Sequence, residues 1–245
     1  MNLDILAFGA HPDDVELSIG GTIAKLTRQK LKVGIVDFSQ GEMGTRGNAK
    51  IRLVESKKAA EILKVKIREN LSLLDGGIRV NPEFVNVVVK VLRKHRPKIV
   101  LAPFYKDRHP DHIGAGLIIK EASYLSGLDK YKTIYGGKEQ NRHRPFRVFY
   151  FFQTFEVEPT FIVDISETFD LKMKSIKAYK TQFHNPKSKE LETTLSNPNF
   201  LKYIEARCRL NGFKIGKEFG EPFYCEQEVE MDLANFINKI NSRLK

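Results

Sequence analysis

The chain has 245 residues, 41% of them hydrophobic and 29% charged, the balance of a globular protein with one sizeable core. Its formal charge of +11 is spread along helical segments and interleaved with Glu, so the charge reads as solvated helix faces and no nucleic-acid partner is expected. No apolar run reaches the ~18 residues of a membrane span; no basic leader opens the chain; and two cysteines, Cys208 and Cys225, make no disulfide framework, so a cytoplasmic enzyme is expected.

The first half alternates strand and helix signals. Residues 5–10 read as a strand and 15–29 as an amphipathic helix; 33–39 are a second strand, followed by a Gly-rich loop over 40–47. A helix over 49–64 places Leu53, Ala60 and Leu63 on one face. Residues 70–74 look like a third strand, Pro82 opens a helix through His95, and 99–102 form a fourth strand before a helical stretch over 113–124. The alternation predicts an α/β fold: a Rossmann-like, mostly parallel sheet with helices on both faces. The second half is less regular. It has a polar loop over 136–145, strands at 148–152 and 160–165, and helices over 167–182, 198–210 and 229–244. The expectation is a single domain over 1–245, with a core over 1–126 and a smaller C-terminal elaboration over 127–245.

Two short clusters stand at strand ends, where open α/β sheets put their ligands. The first is Gly9-Ala10-His11-Pro12-Asp13-Asp14, the second His109-Pro110-Asp111-His112. His11 and Asp14 can converge around one turn, and His112 completes a set of two imidazoles and one carboxylate. A zinc ion held so keeps a free position for water, the arrangement of a hydrolytic site. Asp13 diverges from its neighbour and can accept a proton from that water, while His109, its proton held by Asp111, faces the substrate. An amide suits this chemistry, because a poor amine leaving group needs a delivered proton. Duller readings exist for each residue. Asp13 and Asp14 can cap the following helix, His109 can be a hydrogen-bonded loop residue, and Arg52 can pair with Glu55. Arg46, Arg52 and Arg108 are the candidate substrate contacts, their forked donors suiting an oxygen-rich ligand.

The segments Ala10-His11-Pro12-Asp13-Asp14-Val15-Glu16, Gly44-Thr45-Arg46-Gly47 and Asp107-Arg108-His109-Pro110-Asp111-His112 resemble the LmbE-like, PIG-L-type zinc deacetylases of N-acetylglucosamine conjugates. Later stretches, Ala178 to Phe183 and Glu205 to Phe223, look like the bacillithiol-biosynthesis branch, which removes acetate from N-acetylglucosaminyl malate. The resemblance implies zinc on His11, Asp14 and His112, with Asp13 as general base. It also implies His109 as the oxyanion-stabilising or acid residue, Asp111 as its orienter, and Arg52 as a substrate contact. A small glycoside substrate and homo-oligomers, often hexamers, go with it. Ferrous iron can occupy the same donor set. A non-haem iron oxygenase uses the same ligand types, but it is disfavoured by the α/β alternation and by a base at Asp13.

Overall fold

The computed structural model describes residues 2–234 and Ile237. The strands β1 (Ile5–Gly9) and β2 (Val33–Asp37) are buried at every position, as strands covered on both faces must be. Alternate side chains of β1 serve two cores: Leu6 and Phe8 enter one, Ile5 and Ala7 the other. The first core is closed by α3 (Pro82–His95) and α4 (Pro110–Leu125), through Val85, Val88, Leu92, Ile118 and Ile119. The second is closed by α1 (Asp14–Arg28), through Val15, Ile19 and Ile23.

With β3 (Ile67–Asn70), β4 (Ile99–Pro103), β7 (Arg147–Phe151), β8 (Phe161–Asp164) and β9 (Gly220–Tyr224), the sheet runs β3-β2-β1-β4-β7-β9-β8. The first five are mutually parallel, and β9 is antiparallel to both of its neighbours. The chain steps outward from β1 to β3 and returns to β4 on the other side of β1. The order therefore reverses between β1 and β4, and a crevice opens at their carboxyl ends. Both histidine-bearing clusters leave from those two strands.

The α/β expectation holds, with local differences. The third strand is β3 at 67–70 instead of 70–74. Its polar sequence Ile-Arg-Glu-Asn hid it, because Arg68 is paid for by an ion pair with Asp37 of β2. Helix α2 (Ala49–Leu63) turns a polar face inward, burying Arg52, Glu55 and Ser56, while Leu53 is exposed. Helix α5 (Phe169–Ile176) is half the expected length, α6 spans Phe200–Phe213, and β9 was not foreseen. A small hairpin, β5 (Ile134–Tyr135) and β6 (Lys138–Glu139), straddles the start of the polar loop expected over 136–145. Most of the helix expected over 229–244 lies outside the described residues. Among the described residues no helix is long and apolar enough to cross a membrane.

Helix α1 is broken at Ile19, whose φ of −133° is not helical. A break strands carbonyls on one side and amides on the other. Buried Lys172 donates to the carbonyl of Leu17 at 2.7 Å, and buried Glu221 accepts from the amides of Gly21 and Thr22 at 3.0 and 2.6 Å. The two side chains pair with each other at 2.8 Å. The cation thus sits at a C-terminal helix end and the carboxylate at an N-terminal one, the favourable sense of the helix dipole.

Candidate active site

The turn after β1 is strained where the chemistry is expected. Asp13 has φ 115°, a conformation uncommon outside glycine, and its side chain makes no capping hydrogen bond to the helix that follows. The capping alternative is therefore wrong for Asp13. Asp14 closes the turn by accepting from the amide of His11 at 2.8 Å. The two adjacent carboxylates diverge, Asp14 toward the histidines and Asp13 toward Arg52, whose guanidinium donates to it at 2.8 Å.

The second cluster arrives on α4, at whose start Pro110 is favoured. Asp14 Oδ2 lies 3.5 Å from His11 Nδ1, and Asp14 Oδ1 lies 3.4 Å from His112 Nε2. The three donor atoms all fall within 4.8 Å of one another. Each histidine gives its other nitrogen to a carboxylate: His11 Nε2 lies 3.0 Å from Asp75 and 3.3 Å from Asp111, and His112 Nδ1 lies 3.1 Å from Asp107. Outer carboxylates of this kind orient a metal-binding imidazole and raise its basicity.

The electrostatics call for a cation. Burial alone would depress the His11 imidazole, but hydrogen bonds with Asp111, Asp14 and Asp75 hold it well above its usual range. For His112 the same burial is outweighed by Asp14 and Asp107, which lift it to about 9. Asp14, despite burial, is held well below the usual carboxylate range by His112 and His11. With Asp13, Asp75, Asp107 and Asp111 adjoining, the cluster carries an excess of carboxylates that a divalent ion would neutralise. His11, Asp14 and His112 therefore fit a metal both by donor type and by spacing. A second triplet, His11 with His109 and Asp111, comes equally close. Its members are engaged otherwise: Asp111 accepts from the amides of Gly76 and Ile78 and from Arg79, and His109 Nδ1 accepts from the amide of Asp111.

That engagement corrects the role expected for Asp111. Its carboxylate serves His11, not His109, because the start of α4 turns it under the loop at 76–79. His109 is half-buried, its ring stacked on His112 at 4.7 Å. Burial, with His112 and His11 nearby, lowers its pKa and favours the neutral ring. Since Nδ1 accepts, the neutral ring carries its proton on Nε2, a hydrogen-bond donor.

Burial dominates Asp13, pushing its carboxyl up to about 7 against the pull of Arg52. The arginines depart from expectation. Arg52 is buried and occupied by Asp13 and the carbonyl of Pro12, while Glu55, its imagined partner, binds Thr181 instead. Arg46 is buried and donates to the carbonyl of Thr181 at 3.0 Å, so it fastens the Gly-rich loop to the C-terminal half and is not open to substrate. Arg108 is exposed next to His109. Asp75 and Asp107 were missed as participants. Asp107 lay within a recognised motif, while Asp75, before Gly76-Gly77, gave only a turn signal. His95 and His143 lie outside the cluster, against Glu69 and the carbonyl of Pro97. A cavity of about 540 Å³, lined by Arg96, Arg142, His143 and Arg144 among others, lies at the opposite pole, where the strands begin.

Residues 6–123 match the family model described as PIG-L, GlcNAc-PI de-N-acetylase. The chain is 32% identical over 191 residues to diacetylchitobiose deacetylase of Thermococcus kodakarensis, covering 73% of this chain and 70% of that one. It is 24% identical over 212 residues to the protein named probable N-acetyl-alpha-D-glucosaminyl L-malate deacetylase 2 of Bacillus subtilis, covering 80% and 90%. Among solved structures, a conserved protein of Thermus thermophilus superposes with a TM-score of 0.84 at 34% identity, covering 94% of this chain and 97% of that one.

Proposed function

The chain belongs to the PIG-L family of deacetylases, and from that premise we propose that it hydrolyses the acetamide of an N-acetylglucosamine conjugate. The observation that carries the reading is the meeting of His11, Asp14 and His112 within 4.8 Å at the sheet's switch point, beside an aspartate that joins no ligand set. When bound there, zinc or ferrous iron would acidify a water and polarise the acetamide carbonyl.

The chain's own residues supply the rest. Asp13, held by Arg52 at 2.8 Å, accepts the proton of the attacking water. The Nε2–H of His109 donates to the oxygen of the acetamide carbon as negative charge develops there. Asp13 then returns its proton to the leaving amine, so acetate and a free glucosamine conjugate depart. Asp75, Asp107 and Asp111 hold the imidazoles in place.

Within this class we favour an L-malate aglycone, supported by the 90% coverage of the Bacillus relative and by the basic charge of the chain. Arg108 is then the cation for its carboxylates, since Arg46 and Arg52 are engaged. Diacetylchitobiose is the competing substrate, supported by the 32% identity to the Thermococcus enzyme. Assembly into homo-oligomers belongs to the same proposal, with sedimentation as its check. Acetate release from the malate, chitobiose and inositol conjugates, before and after chelation, tests the reading. Malate should give the highest kcat/KM, and activity that survives chelation would end the metal mechanism.

A further inference from the structure

Gln153 follows β7, the neighbour of β4, and so reaches the same end of the sheet as the two histidine-bearing turns. Its backbone is held from both sides. Arg207 of α6 donates to the carbonyls of Phe152 and Gln153 at 2.8 and 2.7 Å and pairs with Glu156. The amide of Thr154 donates to Asp107 at 2.9 Å, the same carboxylate that orients His112.

The side chain is placed but not satisfied. Its Nε2 lies 3.4 Å from His112 Nε2, whereas Oε1 is buried and meets no donor among the described residues. A buried acceptor left so is costly, and native proteins seldom keep one without use. His112 Nδ1 is turned to Asp107 at 3.1 Å, which leaves Nε2 as the nitrogen facing the candidate metal position. The Gln153 amide therefore approaches from the side into which the candidate metal ligand points.

We propose that Gln153 is a substrate-binding residue whose Oε1 accepts the N–H of the acetamido group. This rests on the deacetylase reading above. An amide offers one such donor and an ester none, so Gln153 selects amides over oxygen esters of the same shape. A site built to hydrogen-bond a substrate N–H rejects the analogue lacking it, since its own acceptor is then left bare.

Two ligand series decide the matter, 2-acetamido-2-deoxyglucosides and 2-O-acetylglucosides, scored by KM where they are hydrolysed and by inhibition constant where they are not. In Gln153→Met and Gln153→Ala, amide binding should weaken about tenfold while ester binding stays within threefold. Metal affinity, measured against a competing chelator, should stay within threefold. Equal losses for amide and ester, lost metal, or unchanged amide binding would overturn the assignment and leave the deacetylase reading standing. If the unsubstituted protein neither binds nor hydrolyses any acetamido sugar, that reading fails and this proposal falls with it.

Discussion

Asp111 Oδ2 lies 3.3 Å from His11 Nε2, although only one residue separates Asp111 from His109 along the chain. The carboxylate therefore supports His11, a proposed metal ligand, and not His109, the proposed oxyanion donor. Asp111→Ala should weaken metal binding by about 10–100-fold. His109→Ala should leave metal affinity unchanged and lower kcat by about 10²–10³. Chelator competition and steady-state rates separate the two. Unchanged metal affinity in both variants, with kcat lowered in both, would return Asp111 to the service of His109.

Asp13 and Asp14 are neighbours with opposite assignments. Asp13→Asn should keep the metal and lose turnover by about 10²–10⁴, whereas His112→Ala should lose the metal itself. Metal content of the purified variants, read beside acetate release, checks both. Equal metal loss would mean that base and ligand have been exchanged.

Arg52 is the nearest cation to Asp13. A carboxylate must be ionised to accept a proton, burial favours the neutral form, and Arg52 opposes burial. Arg52→Ala removes that opposition, so the acidic limb of the kcat/KM profile should move to higher pH, with Arg52→Lys between. An unmoved limb would show that another group sets it.

Lys172 and Glu221 form a fully buried pair. Lys172→Met leaves Glu221 uncompensated and the carbonyl of Leu17 without its donor, at a cost of about 3–5 kcal/mol. The denaturant midpoint should fall accordingly, and a shift below about 1 kcal/mol would mean that the pair contributes little.

Gly114 of α4 faces the carbonyl of Ile78 so closely that an added Cβ would lie 2.0 Å from its oxygen. Gly114→Ala must push the loop at 76–79 away from the helix, costing about 1–3 kcal/mol. The same displacement pulls Gly76, Ile78 and Arg79 off Asp111. Metal affinity should fall together with stability; a loss of stability alone would show that the loop moves without Asp111.

The parallel core and the meeting of His11, Asp14 and His112 were legible because local signals agreed: apolar runs ended in His-Pro-Asp turns, and helices followed. β3 was misplaced because Arg68 looks foreign to a strand until Asp37 and Glu16 are seen beside it. The inward face of α2 misled for a related reason, since Arg52 and Glu55 are inside to serve Asp13 and Thr181, which periodicity does not register. β9 was invisible because Gly-Glu-Pro-Phe-Tyr has neither alternation nor a β-branched run, and its place depends on partners far away in sequence. Asp75 and Gln153 escaped for that reason too: each is an ordinary loop residue until the fold brings it to a histidine.

The interruption of α1 ties maturation of the first helix to the last strand. The groups freed at Ile19 wait for side chains 155 and 200 positions downstream. Such distant closures slow folding, and a nascent chain has to be nearly complete before Glu221 can join them. A fragment ending after α4 would retain every proposed metal ligand yet lack the residues that seal the helix behind two of them.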